Sequence, residues 1–359
     1  MKRSFIATLM LLAACGGGSS SPSGSGGGGG SGGSGGSGGV ACEEPAEGPP
    51  TDVFCMGLYV DRDPSRIAAE AVAYRPGVTF WSDSAEKQRY LLLPPGAPID
   101  TTDMDAWIFP VGTKAFKEFR WNGRLVETRL LWKRGAGTWA HATYIWNALG
   151  TDAVLNVEKG PTRLDDGYEV PGTPTCDKCH GGGSDRLLGV EAIALALPTA
   201  EGITLTHLAD SGALSAPPTN TRIELPEDET GKAAAALGYM HANCGMACHS
   251  TRGLSGFTQL HTRLRADEFW PTAGGDTASV ETTDAYTTGI DAEVILGTYQ
   301  QAFPDTRLIT PGSHEKSLAW VVAHLRGEHQ MPPIATHAVD EAGTQDLADW
   351  IDAMPPTEP

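Results

Sequence analysis

Positive charge is what this chain has least of. Lys and Arg number 26 against 44 Asp and Glu over 359 residues, a formal net charge of -18. Such a balance argues against nucleic acid or an anionic lipid surface as a direct partner. It suits a domain that meets a basic partner, or none. A long apolar run is also missing, since Phe5 to Leu12 is too short to span a bilayer as a helix. Cysteine is scarce, with seven in the chain. Each falls in a pair or at a processing position, so no thiol is left over.

Met1 to Cys15 reads as a targeting segment. Lys2 and Arg3 precede the apolar run, and Leu12-Ala13-Ala14-Cys15 looks like a bacterial lipobox. Cleavage before Cys15 makes its thiol the lipid acceptor; the plainer alternative is a secretory signal that happens to contain a cysteine. Gly16 follows, where Asp is absent, which resembles the pattern sent to the outer membrane in Gram-negative bacteria. The expected product is an exported lipoprotein facing the periplasm or the cell surface. Residues 16–39 are almost pure Gly and Ser, and the tether they form is taken to run to residue 50. Such a chain buries no core and reaches about 25–30 Å. The membrane is met through the lipid alone.

The strongest chemistry lies at Cys176-Asp177-Lys178-Cys179-His180. Two thiols on one helical turn can add to the two vinyl groups on one porphyrin edge. The histidine that follows is then placed as a proximal iron ligand, the attachment signature of a c-type haem. A disulfide or half of a zinc site uses the same Cys-x-x-Cys. The adjacent His and the signs of export favour haem. Cys244-Gly245-Met246-Ala247-Cys248-His249 repeats the pattern with one residue too many. On a helix, residues three and four apart share a face, so a second haem is expected here with His249 as ligand. A Cys244–Cys248 disulfide is the alternative. Cys42 and Cys55 remain, and pair as a disulfide across a Pro-rich loop in an oxidising compartment.

Between 75 and 160 the pattern is β. Strand-like runs cover Arg89 to Leu93, Lys114 to Trp121, Arg124 to Lys133 and Thr138 to Trp146, and Asn122-Gly123 is a two-residue hairpin turn. Val126, Thr128, Leu130 and Trp132 alternate on one face. Six of nine Trp lie between Trp81 and Trp146, which reads as strand packing more than as a sugar-binding face. His141 reads as structural or surface. From 176 on, the pattern is helix and loop. Thr230 to Asn243 delivers the second cysteine pair. Ser313 caps a helix carrying Leu318, Val321, Val322 and Leu325, and Asp340 starts a last helix stopped by Pro355. Between these two lies Met331-Pro332-Pro333, a thioether on a stiff loop and the expected sixth ligand to the iron held by His249. His324, His329 and His337 are the substitutes for Met331. His207, Met240 and His241 are weak candidates for the sixth position of the first haem.

The fold class expected is α+β. A β-rich, sandwich-like domain over 51–170 is followed by a first haem-motif segment over 171–230. A mainly α-helical cytochrome c-like domain spans 231–359, with an insertion at 250–312.

Several stretches resemble a family of exported proteobacterial di-haem c-type cytochromes, in which a β-rich region precedes the haem motifs. The carriers are Phe80-Trp81-Ser82-Asp83, Leu93-Pro94-Pro95-Gly96, Trp107 to Thr113, Glu127 to Leu131 and Tyr144 to Asn147. In the haem part they are Cys176 to His180, Leu237 to Cys244, Pro311-Gly312 with Ser317, and Met331-Pro332-Pro333. The family usually has two residues between the second pair of cysteines, where this chain has three. The resemblance implies electron transfer with a redox partner protein, sometimes a dehydrogenase, and covalent haem c at both sites. Two other readings stand beside it: a di-haem peroxidase-like enzyme, and a redox-inert surface module whose cysteines are disulfides.

Overall fold

A computed structural model describes residues 42–182, 185–271, 278–334 and 336–357. Cys15 and the Gly/Ser tether up to residue 41 lie outside the described residues. The alternating segments become strands β1 (Val72–Arg75), β2 (Glu86–Leu92), β3 (Lys114–Trp121), β4 (Arg124–Gly135), β5 (Thr138–Trp146), β6 (Ala153–Leu155) and β7 (Glu201–Gly202). They form one antiparallel sheet of seven strands in the order β7-β1-β2-β3-β4-β5-β6. Asn122 (φ 51°) and Gly123 (φ 75°) are both left-handed, as a tight hairpin between twisted strands requires.

One sheet face buries Phe116, Leu130, Trp132, Ala142, Tyr144 and Trp146 beneath Val53, Phe54, Met56 and Leu58. The Cys42–Cys55 disulfide closes that covering segment, with Cα atoms 5.2 Å apart. The cover includes a short ribbon of Tyr59–Val60 with Asp63–Ile67. A sandwich was expected here, but among the described residues no second sheet of comparable size faces the first. The expected alternation breaks once. Leu125 pairs Arg120 and Glu127 pairs Phe119, so Val126 is the extra residue of a β-bulge. It packs on the other face with Phe119 and Tyr168, while Thr128, Leu130 and Trp132 keep the first.

The second face meets the helices. Leu91, Ala115 and Trp139 share one core with Ala192 to Leu197, Leu237, Trp350 and Ile351. The elements used below are α1 (Cys176–His180), α2 (Ala192–Ala196), α3 (Ala233–Met240), α4 (Leu318–His324) and α5 (Glu341–Ala353). Residues 250–312 hold short helices at Ala266–Phe269, Asp284–Gly289 and Gly297–Ala302. Ser317, not Ser313, is the N-cap of α4; Ser313 precedes a single 3-10 turn, His314–Lys316. The Ser317 hydroxyl donates back to Ser313 O at 2.9 Å, closing the turn that precedes the helix. No helix among the described residues is long and apolar enough to cross a membrane.

α5 starts at Asp340, whose carboxylate accepts from the Gly343 N–H at 3.1 Å. It buries Leu347, Trp350 and Ile351 and packs along α3. The contact is close because the Tyr239 ring lies where a Cβ on Gly343 would stand. A Gly343→Val change must therefore push the ring aside. We expect it to destabilise the fold by about 1–3 kcal/mol, read as a lower midpoint in urea unfolding; an unchanged midpoint would show that the crossing gives way freely.

Candidate functional site

The first motif is placed by a 3-10 turn, Thr173–Thr175, which runs directly into α1. Cys176 and Cys179 are three apart on that turn and share a face. The His180 Nδ1 lies 2.7 Å from the Arg186 carbonyl. A carbonyl only accepts, so Nδ1 carries the proton and Nε2 is the nitrogen left for a metal. Burial, then the charge of Lys117, pushes the His180 imidazole down to about 4, so it is neutral, as a ligand must be. The turn after the motif is pinned to the sheet. Asp185 accepts from the Phe109 N–H at 2.9 Å and bonds the Lys133 ammonium and the Trp139 indole. Lys133 and Asp185 are 2% and 3% exposed, so their charges are satisfied by each other and not by water.

The second motif is not helical in the way the sequence implied. The expected helix from Thr230 to Asn243 is α3, ending at Met240, and it passes into a π turn, His241–Gly245. The Met246 N–H bonds His241 O at 2.9 Å, and the His249 N–H bonds Cys244 O at 2.8 Å, each five residues back. A π turn takes up one extra residue without breaking the chain's direction. Cys244 therefore lies in the wide turn and Cys248 just after it, not on one α-helical face. All four motif cysteines are free thiols in this structure, Cys244 and Cys248 among them. Burial, then Cys248, pushes the Cys244 thiol up to about 12. The His249 Nδ1 lies 3.1 Å from the Leu260 carbonyl and 3.0 Å from the Thr258 hydroxyl. This repeats the His180 arrangement, again leaving Nε2.

The two motifs adjoin. A Cβ on Gly182 would stand 2.6 Å from the Ala247 carbonyl, so only glycine permits this approach. After burial, the main influence raising the Cys179 thiol is Cys248. Chain segments almost seventy residues apart thus bring both Cys-Cys-His sets to one place.

Met331 lies in a braced loop. Its N–H bonds Val322 O at 2.7 Å, and its side chain packs against Val294, Leu308, Leu318 and Val322. Leu260, whose carbonyl faces His249, packs against the same cluster. Gln330 holds the loop through Pro332 O at 3.0 Å and Thr336 O at 2.8 Å. The substitutes for Met331 are engaged: His324 stacks on Trp320, His329 packs on Tyr299 and Phe303, and His337 contacts Asp83 at 3.0 Å. The candidates for the first haem's sixth position fare no better. His207 is exposed, and Met240 is 1% exposed in the core. His241 uses both nitrogens: Nδ1 accepts from the Leu264 N–H at 3.0 Å and Nε2 faces Glu191 at 3.4 Å. Burial alone would raise Glu191, but the hydrogen bond from His241 and the N–H groups of α2 hold it below its usual range.

Sequence reasoning missed a row of cations on the second face of the sheet. Arg89 on β2 pairs Lys117 on β3, which pairs Arg129 on β4. Burial, then Arg89, Lys87 and Arg129, holds the Lys117 ammonium well below its usual range. Lys87, next on β2, is pushed down to about 7 by burial and by Arg89. The strand alternation was legible, but which charge faces which is set by register across three strands. His141 is half-buried on the same face, opposite Leu131.

Among the described residues no three His, Cys, Asp or Glu side chains gather as a metal cage. The donor set present, two thiols and one neutral imidazole per motif, fits a c-type haem. Comparison with protein-family models, with curated proteins and with solved structures finds no match.

Proposed function

We propose that this chain is a c-type cytochrome lipoprotein that moves electrons through two covalent haems, at Cys176/Cys179 and Cys244/Cys248. The observation that carries the reading is shared by His180 and His249. Each follows a pair of free thiols, and each binds a main-chain carbonyl through Nδ1, at 2.7 and 3.1 Å. A buried imidazole fixed in this tautomer has Nε2 as its free lone pair. When bound, each haem supplies a one-electron iron couple. The protein's part is to hold the thiols, orient the imidazoles and keep the two sites adjacent through Gly182 and Ala247. Under this reading residues 231–359 act as the cytochrome c-like unit, with the crossing of α3 and α5 as its frame and Met331 closing the second iron. The acidic surface suits a basic redox partner or dehydrogenase.

Intact mass and haem staining of the protein made with c-type maturation machinery test this. Two covalent haem masses are expected. A protein with no haem, whose cysteines stay as thiols or disulfides, would defeat the reading and favour the redox-inert module. A peroxidase-like role gains from one observation: His207, Met240 and His241 are all unsuited to the sixth position of the first haem. Peroxide turnover by the di-haem protein would favour it.

The lipid anchor belongs to the same reading. Changing Cys15→Ser should move the protein from the membrane fraction to the soluble fraction, followed by immunoblot. Retention in the membrane would assign the anchor elsewhere.

A further inference from the structure

A small cavity of about 30 Å³ lies where three parts of the chain meet. Asp105 and Trp107 come from the loop before β3. Gly182, Asp185 and Glu191 come from the segment that follows the first motif. Arg263 is carried by a segment that returns to the second motif, where the Thr262 N–H bonds His249 O at 2.8 Å.

The acceptors on these walls are served by the protein. Asp185 accepts from the Phe109 N–H at 2.9 Å and pairs with Lys133. Glu191 accepts from the Ile193 N–H at 2.8 Å and the Ala194 N–H at 2.6 Å. Asp105 accepts from the Ala266 N–H at 2.9 Å and faces the Arg263 guanidinium at 3.6 Å. Two donors are left over. Trp107 Nε1 and Arg263 Nε are buried and reach no acceptor among the described residues. Trp107 is 4% exposed. Arg263 spends a terminal nitrogen on the Asp105 carbonyl at 2.6 Å, which leaves Nε to find its own partner. Both nitrogens can only donate, and buried donors in folded proteins nearly always meet an acceptor.

The walls select that acceptor. A cation cannot accept a hydrogen bond. An anion would join the three carboxylates of Asp105, Asp185 and Glu191, which already outnumber the two cations Lys133 and Arg263. One water needs roughly 10–15 Å³ of such space, so the cavity has room for about one or two and for nothing much larger. Water also brings hydrogens of its own, and a carboxylate has about four acceptor sites, so the acids beside it can take them. We propose that this cavity is an internal hydration site, in which ordered water accepts from Trp107 Nε1 and Arg263 Nε and donates to the carboxylates around it. The water joins the loop before β3 to the segments that follow both cysteine motifs. The assignment does not depend on whether haem is attached.

The test uses the full chain made with c-type maturation machinery, as the parent and as Trp107→Phe, which keeps a ring on the wall and removes one donor. A crystal structure that resolves ordered solvent should show water within hydrogen-bond distance of Trp107 Nε1 and of Arg263 Nε in the parent. Magnetic relaxation dispersion of the water oxygen counts long-lived internal waters in solution, and the Trp107→Phe protein should hold fewer than the parent. A parent cavity without solvent density, or one in which both nitrogens reach protein acceptors, would overturn the proposal, and so would an unchanged water count in the variant. An anomalous peak at the site after a bromide soak would overturn it too, by assigning a halide. The parent crystal decides the question even if the variant does not fold.

Discussion

With Cys176→Ala and Cys179→Ala together, the covalent haem count should fall from two to one. Both thiols are free and half-buried on the short helix α1, and no other cysteine on that side can replace them. Cys42 and Cys55 are bonded to each other, and Cys244 and Cys248 belong to the second set. The loss is read as one haem mass in the intact protein, and as half the haem absorbance per chain after denaturation. Leaving His180 in place matters: an imidazole alone holds haem without a covalent link, so pigment lost on denaturation but present in the native protein is also expected. A count that stays at two after the double change would remove Cys176 and Cys179 from the site. The same pair of changes at Cys244 and Cys248 asks whether the π turn is compatible with attachment. If His249 and Cys244 are kept in register by the 2.8 Å bond between them, the extra residue is absorbed and the count falls by one there too.

The second large effect is expected from Met331→Ala. A thioether is a soft ligand that favours Fe(II), so its loss should lower the potential of the His249 haem, abolish the weak far-red sulfur-to-iron band of the oxidised protein, and let the reduced protein bind carbon monoxide. Methionine is otherwise adaptable filler in apolar clusters. Here it is held on a loop fixed by the Val322 carbonyl at 2.7 Å and by the Gln330 amide at 2.8–3.2 Å from its partners. Such bracing makes a ligand position reproducible. The neighbouring histidines are each occupied by a ring or a carboxylate. If the band, the potential and carbon monoxide binding are all unaltered, Met331 only fills the cluster with Val294, Leu308, Leu318 and Val322. His324, whose ring nitrogen makes only a long 3.5 Å contact to Thr344, then becomes the first to test.

Local patterns settled whatever depends on neighbours in the chain. Lys114–Trp121 and Thr138–Trp146 form strands over the limits read from their alternation, and Asn122-Gly123 forms the turn its φ angles demand. Asp340 caps the last helix with its own side chain. Cys42 and Cys55, thirteen residues apart, pair within one short loop. The identity of the motif side chains is likewise a property of sequence alone. What the tertiary structure decided needs register or packing between distant segments. A bulge opposite Arg120 turned Val126 to the other face. One extra residue in the second motif is taken up by a π turn at the end of α3. His241, a ligand candidate by position, was claimed by Leu264 and Glu191. Above all, the Arg89–Lys117–Arg129 row and the meeting of Gly182 with Ala247 join residues 12 to 65 positions apart. Period-2 alternation says which face a side chain takes, but only strand pairing says which charge it meets there.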